Sequence, residues 1–426
     1  FIINYITKVY SPSLIMKDAG KTSHRSRGLN SLCLKLAVLL AGVVVVPWVM
    51  YAYIQRGSQT QTQTAPSASS SIMDSIEYNV PISPKLSDKS ATQYKLPNPV
   101  LGPRSTNGTK PMLGSHTGRD AVFALACNYP LESFKFFVGS LRRFGFNDDI
   151  VLAVNPAHQI RRSVYNYLND TGVVAYGFDV DCRGKDDCKL KDAFLGYPDP
   201  RPYRPFANIR YALYEYWLEH YTPRSYVLIL DFRDTFFQAN PFSVFGHFQQ
   251  RKPKYELHVF AENHDVKTIG GCLFNSGWVG ECFGQQALKE LEHEAVICSG
   301  STLGSFGGIT HYVTTMLKSM DEVQCWRKNI ESDQGYQSYL FYNGRFDTAL
   351  GNATKFDQGY GVVNTIGAMN GYRVPKEKKG PLDTFWKIRD SEGYVLNYDG
   401  SRSACVHQWD RFHDELYPWL RKTFGR

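Results

Sequence analysis

Two aspartates, Asp231 and Asp234, are the residues best placed to do chemistry, because they follow an uninterrupted apolar run at 226–230. Such a run is typical of a strand that is buried on both faces of a sheet. Acids at the end of a buried strand lie at the carboxyl edge of the sheet, where open α/β folds bind their ligands. Two hard oxygen donors there suit Mn²⁺ or Mg²⁺ carrying a diphosphate, so the sequence predicts a divalent-metal site. The alternative is an ordinary strand end with solvated acids.

The elements that must position these acids begin with an alternation of predicted strands and helices. This order and spacing predict a parallel sheet with crossover helices, so the first half of the domain is expected to be Rossmann-like. The chain lacks a G-x-G-x-x-G fingerprint there, which disfavours a nicotinamide or flavin enzyme of the usual kind. The predicted strands lie at 121–127, 149–155 and 173–180, and the predicted helices at 131–144 and 157–168.

A further predicted helix, at 206–221, leads directly into the strand that ends at Asp231. Arg210 lies beside its apolar stripe and is either a solvated helix residue or a contact to phosphate and nucleotide. After the acids come a predicted strand and several polar islands in apolar surroundings. The strand lies at 257–262, and the islands lie at 270–280, 298–305, 332–340 and 403–412. The island at 298–305 has glycines and hydroxyls suited to a loop that contacts substrate.

The order of these motifs resembles that of metal-dependent glycosyltransferases of the GT-A fold, from Ala121 to the C-terminus. The resemblance implies an α/β domain with a Rossmann-like mixed sheet and flanking helices. The similarity is to the broad group that holds the glycogenin-like and the plant-type galactosyl- and xylosyltransferase families. In those families a buried strand ends in an Asp-x-Asp motif, which an apolar pair and a turn ending in proline follow. Asp234 matches the last aspartate of that motif, whereas the position two before it is Phe232. The resemblance implies that Asp234 is a metal ligand, and that Asp231 contacts the metal through water or holds the ribose.

Three later segments match the same families in the same order. The Phe-Asn-Ser-Gly segment with Asn275 and Gly277 resembles the lining of the donor-sugar pocket, and the alternative is a tight turn between strands. The segment with Asp333 and Gln334 resembles a motif that faces the anomeric region of the sugar, and the alternative is a helix N-cap formed by Ser332 or Asp333. His407 resembles the late histidine that completes the metal site, and the alternative is a structural histidine.

The reaction implied by the resemblance is transfer of a sugar from a nucleotide-diphosphate sugar to a glycan or glycoprotein acceptor. A divalent ion would neutralise the charge that develops on the leaving diphosphate, with Arg210 or Arg411 adding positive charge. Asp333 is the candidate catalytic carboxylate, and retention of the anomeric configuration is expected. One alternative is a non-catalytic, glycan-binding or scaffold domain of the same fold. Another is a phosphatase of the haloacid-dehalogenase type, whose second aspartate should come two residues after the first, not three as here.

The first third of the chain predicts a membrane-anchored protein. Residues 36–54 carry no charge and match the length of about 20 residues that crosses a bilayer as a helix. The basic residues before this segment predict a cytosolic tail at 1–35, and a polar, low-complexity run predicts a flexible stem at 55–119. The catalytic domain is then 120–426 and lumenal, in a single-pass type II protein of the Golgi or ER. A cleaved signal peptide is the alternative.

Composition and cysteines agree with this topology. Eight of the nine cysteines lie beyond the membrane segment, as do three glycosylation sequons, and an oxidising compartment would permit disulfides. Cys182 and Cys188 close a short polar loop and are expected to pair. Apolar residues make up 43% of the chain, enough for a large core, and no basic run is interleaved with aromatic residues, so nucleic-acid binding is disfavoured.

Overall fold

The computed structural model describes residues 110–183, 187–191, 201–244, 255–325, 333–369 and 388–425. The predicted tail and membrane segment, and the predicted stem up to residue 109, lie outside the described residues. No helix in the described part of the chain is long and apolar enough to cross a bilayer. Leu113, near the end of the predicted stem, is buried and forms a β-bridge with Ala175, so the folded domain includes residues before 120.

A seven-stranded mixed sheet forms the centre of the domain, in the order β11-β9-β10-β7-β1-β2-β3. All neighbouring strands are parallel except that β10 runs antiparallel to both β7 and β9. The predicted α/β architecture with a mixed sheet is therefore confirmed. Its strands are β1 (Ala121–Leu125), β2 (Asp149–Val154), β3 (Val174–Gly177), β7 (Tyr226–Leu230), β9 (Leu257–Ala261), β10 (Ile297–Ser305) and β11 (Ala353–Phe356).

Helices cover both faces of this sheet, and the strands are apolar on both sides for that reason. In β1, Ala121 and Phe123 face one hydrophobic cluster while Val122 and Ala124 face the other. The helices are α1 (Leu131–Phe134), α2 (Ser140–Arg143), α3 (Arg162–Asp170), α4 (Phe206–Leu218), α5 (Leu273–Phe283), α6 (Gln285–Leu291), α7 (Phe306–Val323), α8 (Asp333–Tyr342) and α9 (His413–Phe424). A π-helical segment (Lys135–Gly139) joins α1 to α2.

The strand order reverses between β1 and β7. After β1 the chain adds β2 and β3 on one side, and it then returns through α4 to place β7 on the other side. The carboxyl ends of β1 and β7 thus border a topological switch point, where open α/β sheets bind ligands. Asp231 directly follows β7, so the predicted location of the acids at this edge is confirmed.

A three-stranded sheet packs against the main sheet and carries the last predicted site residues. Its order is β12-β13-β8. Phe237 and Cys405 share the hydrophobic cluster of the main sheet, whereas Phe236 and Val406 on the opposite face pack with α9. The strands are β8 (Thr235–Phe237), β12 (Val363–Thr365) and β13 (Cys405–His407). His407 alternates with Val406 and therefore lies on the face toward the main sheet.

A second small sheet holds one of two disulfides among the described residues. It consists of β4 (Val180–Arg183), β5 (Asp187–Leu190) and β6 (Arg204–Pro205). Cys182 and Cys188 pair across β4 and β5, as predicted. The other disulfide joins Cys282 to Cys325. The described cysteines that remain free are Cys127, Cys272, Cys298 and Cys405.

Several local predictions were wrong in detail. The helix expected at 157–168 begins only at Arg162, and the strand expected at 173–180 ends at Gly177. The proposed turn around Asn275 is instead helix α5, which runs through Gly277 and Gly280. The proposed substrate loop at 298–305 is the buried strand β10, in which small residues leave room for neighbouring side chains.

Candidate functional site

Asp231 and Asp234 lie at the end of β7 with different environments. The backbone N–H of Asp231 donates to the carbonyl of Gly300 at 2.8 Å, which fixes the chain as it leaves the sheet. The Asp231 side chain is 41% exposed, whereas that of Asp234 is 4% exposed. One carboxylate is therefore open to a ligand, and the other is held inside the protein.

His407 reaches these acids because its strand pairs with the segment that follows them. In the register of β13 with β8, His407 lies opposite Thr235, the residue after Asp234. Its Nε2 atom lies 3.6 Å from Oδ1 of Asp234 and 3.9 Å from Oδ2 of Asp231. The side chain is buried, and Nε2 has no hydrogen-bond partner among the described residues. A buried imidazole nitrogen that faces two carboxylates without a partner is the arrangement that a bound cation would complete.

The three side chains fit a divalent ion. One potential ligand atom from each of Asp231, Asp234 and His407 lies within 4.8 Å of the other two. Carboxylate oxygens suit Mn²⁺ or Mg²⁺, and an imidazole nitrogen suits a transition metal such as Mn²⁺. Either ion takes about six ligands, so positions would remain for phosphate oxygens and water. The structure thus brings together the three residues predicted as metal ligands.

Gly300 makes room for this cluster, and sequence reasoning gave it no role. A β-carbon at Gly300 would lie 2.5 Å from Oδ2 of Asp231 and 2.7 Å from Cε1 of His407. Real β-carbons do not approach other atoms so closely. The only signal in the sequence was the concentration of glycine and serine at 298–305, which a loop would equally explain.

Arginines surround the more buried acid. Nη1 of Arg411 donates to Oδ2 of Asp234 at 2.6 Å, and Arg411 also pairs with Asp410. Arg233, which is 54% exposed, lies 3.4 Å from the same oxygen of Asp234. Burial alone would raise the pKa of Asp234, but His407 and the arginines hold that pKa well below its usual range. Asp234 therefore stays ionised, and two cationic groups lie beside the candidate metal ligands.

Arg210 joins one candidate metal ligand, Asp231, to the predicted catalytic carboxylate. It is buried, so the solvated-residue interpretation is wrong. Its Nη1 donates to Oδ1 of Asp231 at 2.5 Å, and its Nη2 donates to the carbonyl of Ser299 at 3.1 Å and to Oδ2 of Asp333. Burial would lower the pKa of Arg210, but the carboxylates of Asp333 and Asp231 raise it, so the guanidinium keeps its charge. Both terminal nitrogens of Arg210 thus donate to carboxylates or to a carbonyl. The guanidinium therefore lies between Asp231 and Asp333.

Asn275 and Gln334 meet across the contact between α5 and α8. Nε2 of Gln334 donates to Oδ1 of Asn275 at 3.0 Å, and Asn275 donates to Sγ of Cys272. The two helices can approach closely because Gly335 has no side chain. A β-carbon at that position would lie only 2.7 Å from Cβ of Trp278. The two predicted sugar-binding side chains are therefore placed side by side by the helix contact.

Asp333 is the first residue of α8, and its buried carboxylate contacts both the start of the helix and Arg210. Its Oδ1 accepts from the backbone N–H of Gln334 at 2.8 Å while its other oxygen meets Arg210. Ser332, the other candidate cap, lies outside the described residues. Gly277 lies on the exposed side of α5, and a β-carbon there would meet no atom within 4 Å, so the described residues leave the space beside it open.

No protein-family model matches this chain, and no curated protein matches it. Among solved structures, the chain is similar to the galactosyltransferase LgtC in complex with donor and acceptor sugar analogues. That match has a TM-score of 0.38 and 15% sequence identity, and it covers 72% of this chain and 96% of that chain. An active-site mutant of LgtC matches with a TM-score of 0.34 and 12% identity, over 68% of this chain and 86% of that one. Likeness at this level establishes neither a family nor an activity for this chain.

Proposed function

We propose that the chain is a metal-dependent glycosyltransferase that moves a sugar from a nucleotide-diphosphate sugar to a glycan or glycoprotein. The observation that carries the proposal is the convergence of Asp231, Asp234 and His407 at the switch point of the sheet, with Nε2 of His407 buried and unpartnered among the described residues. The resemblance of the motif order to GT-A glycosyltransferases supplies the reaction class.

In this proposal the two aspartates and His407 bind the cation, and the arginines bind the phosphates. Asp231, Asp234 and His407 hold the cation, which when bound would neutralise the departing diphosphate as a Lewis acid. Arg411 and Arg233, both next to Asp234, add positive charge on the side where the phosphates would lie. Fixed charges of this kind stabilise a leaving group because they need no reorganisation during the reaction.

The sugar would lie between the metal ligands and the start of α8. Gln334, which is partly exposed, offers its amide group to sugar hydroxyls, and the buried Asn275 holds Gln334 in place. Asp333 stays close to the anomeric carbon and stabilises the positive charge that develops there, with Arg210 fixing its orientation. Retention of configuration is the outcome that we expect from the resemblance.

The proposal includes a compartment. The uncharged segment 36–54 would anchor the chain as a type II protein in the Golgi or ER membrane, with the described domain in the lumen. Two disulfides among the described residues fit an oxidising compartment, since disulfides are rare in the cytosol.

A donor screen tests the activity. The purified chain would be incubated with UDP-galactose, UDP-glucose, UDP-xylose or GDP-mannose, with and without Mn²⁺, and release of the nucleoside diphosphate would be measured. We expect Mn²⁺-dependent release from one of these donors, and its loss in Asp234→Ala because that variant removes the more buried of the two carboxylate ligands.

The matched control is Asp414→Ala, which removes a fully exposed carboxylate from α9 and should leave release unchanged. Undiminished release by Asp234→Ala would contradict the metal site. Calorimetry with Mn²⁺ and nucleoside diphosphates separates the non-catalytic alternative. Absence of any metal-dependent nucleotide binding would contradict the enzyme proposal.

A further inference from the structure

The ring nitrogen of His407 that faces away from the two aspartates contacts a cysteine. Nδ1 of His407 lies 3.7 Å from Sγ of Cys298, which belongs to β10 and is buried. Nε2 of the same ring faces Asp231 and Asp234. The imidazole therefore stands between the carboxylate cluster on one side and a thiol on the other.

A cation on Nε2 would fix the proton of His407 on Nδ1. Metal-ligating histidines almost always donate this second N–H to an acceptor, which sets the tautomer and the ring orientation. Carboxylates or carbonyls usually accept it. Here the contact recorded for Nδ1 among the described residues is Sγ of Cys298.

A neighbouring donor indicates that this sulfur acts as an acceptor. Nε2 of Gln408 lies 3.6 Å from Sγ of Cys298 and donates to it. Gln408 holds a left-handed backbone conformation, with φ of 62°. Its side chain packs directly against Gly367, where a β-carbon would lie 2.1 Å from the Oε1 atom of Gln408. Such a conformation is unfavourable in a residue other than glycine. The chain thus directs an N–H group at the sulfur at some cost.

Cys298 is not one of the proposed metal ligands. The cluster whose ligand atoms lie within 4.8 Å of one another holds Asp231, Asp234 and His407 alone among the described residues. The sulfur contacts Nδ1, the ring nitrogen opposite the one that faces the acids. A hard ion such as Mn²⁺ also prefers oxygen and nitrogen to sulfur.

We infer that Cys298 is a positioning residue of the metal site, in which its sulfur accepts the Nδ1 proton of His407 and holds Nε2 toward Asp231 and Asp234. This inference rests on the proposed function, because it presupposes a cation at those three ligands. Nothing in the sequence pattern assigned Cys298 this role, since a buried free cysteine most often only packs.

The test compares Cys298→Ala with Cys298→Ser, and it measures Mn²⁺ affinity of the full chain by electron paramagnetic resonance without any donor. Alanine removes the acceptor, so we expect Mn²⁺ affinity to fall about 10- to 100-fold. Serine keeps an acceptor oxygen, so it should retain most of the affinity. Stability, from denaturant unfolding, should not follow the same order, because a serine hydroxyl costs at least as much as alanine in an apolar site.

Cys405→Ala is the control. It removes another buried free thiol from the strand that carries His407, and it should leave Mn²⁺ affinity unchanged. Equal Mn²⁺ affinity in the wild type and Cys298→Ala would overturn the inference while leaving the proposed function intact. Equal losses in the alanine and serine variants would also overturn it, because packing would then explain both. A wild type that binds no Mn²⁺ would instead overturn the proposed function and this inference with it.

Discussion

The space around Gly300 determines whether two of the proposed metal ligands share one site. Oδ2 of Asp231 and the ring of His407 occupy the space that a side chain at this position would need. These two groups come from different sheets. The same small residue lets Asp231 hydrogen-bond to the backbone of β10. The site therefore depends on a residue that offers it no ligand atom.

We predict that Gly300→Ala weakens Mn²⁺ binding by about tenfold or more while the chain still folds. The added methyl group would force Asp231 or His407 away from its present position, because neither the strand nor the buried ring has free space. Mn²⁺ affinity and the thermal unfolding midpoint would be measured together. Wild-type affinity in a well-folded Gly300→Ala variant would show that this clearance is unimportant.

Among single residues, chemistry was easier to predict than geometry. Asp231, Asp234 and His407 are recognisable because carboxylates and imidazole at the ends of apolar strands have few structural uses. Arg210 was ambiguous, since only the fold shows that its guanidinium lies between Asp231 and Asp333. Gly300 and Cys298 could not be found, because their roles consist of contacts with residues more than 60 positions away.

At the scale of elements, the contact between α5 and α8 brings the predicted sugar-binding side chains together. Gly335 lies against Trp278, and the hydrogen bond between Gln334 and Asn275 spans the same contact. Asp333 begins α8, so any displacement of this helix also moves the proposed catalytic carboxylate. The metal ligands lie on other elements.

We predict that Gly335→Ala lowers kcat for sugar transfer by about 10- to 100-fold, because a shift of about 1 Å in a catalytic group is enough for such a loss. Mn²⁺ affinity should change much less than kcat, because α8 contacts the proposed metal ligands only through Arg210. Gly307→Ala in α7 is a matched control, since its β-carbon would meet no atom within 4 Å. A loss of Mn²⁺ affinity that equals the loss of kcat would contradict this separation of the two halves of the site.

Elements with strong apolar patterns were predicted, and elements made of small residues were not. The runs that form β1, β2 and β7 were identified because helices cover both faces of the sheet and require apolar side chains throughout. The segment that forms β10 contains three serines and two glycines within Ile297–Ser305, a composition typical of a loop. It is nevertheless buried, because Asp231, His407 and the backbone at Glu256 occupy the space that larger side chains would need.

At the scale of the whole domain, a buried polar cluster fixes the edge of the sheet opposite the site. Asp149, the first residue of β2, accepts hydrogen bonds from the hydroxyl of Tyr221 at 2.8 Å and from the backbone N–H of Thr117 at 2.9 Å. His116 lies 3.7 Å from the same carboxylate. Burial would raise the pKa of Asp149, but these neighbours together hold the pKa below its usual value.

We predict that Asp149→Asn lowers the free energy of unfolding at neutral pH by about 1.5–3 kcal/mol, the usual range for hydrogen bonds to a charged group. A carboxyl group with a lowered folded-state pKa stabilises the fold above its unfolded-state pKa of about 3.9, and this stabilisation is lost as the pH falls through the folded-state pKa. The difference between wild type and variant should therefore shrink in acid. Denaturant unfolding at several pH values would measure it.

Asp148→Asn provides the comparison for this experiment. Asp148 is the neighbouring residue, and it pairs with the exposed Arg119 at the surface, where ion pairs contribute about 0–1 kcal/mol. The Asp148→Asn variant should change the free energy of unfolding little at any pH. A difference between wild type and Asp149→Asn that stays constant into strong acid would show that hydrogen bonding, without the charge, accounts for the effect.

The burial of Cys298 has a consequence for how the chain matures. Cys298 lies between Cys282 and Cys325, which form a disulfide across 43 positions of sequence. Until β10 joins the sheet, its thiol would be free to exchange with any disulfide that forms nearby. A chain trapped with Cys298 mispaired would keep every proposed ligand in its sequence and yet lack the partner of His407. The metal-binding fraction of a preparation would then report how many molecules closed the sheet before their thiols reacted.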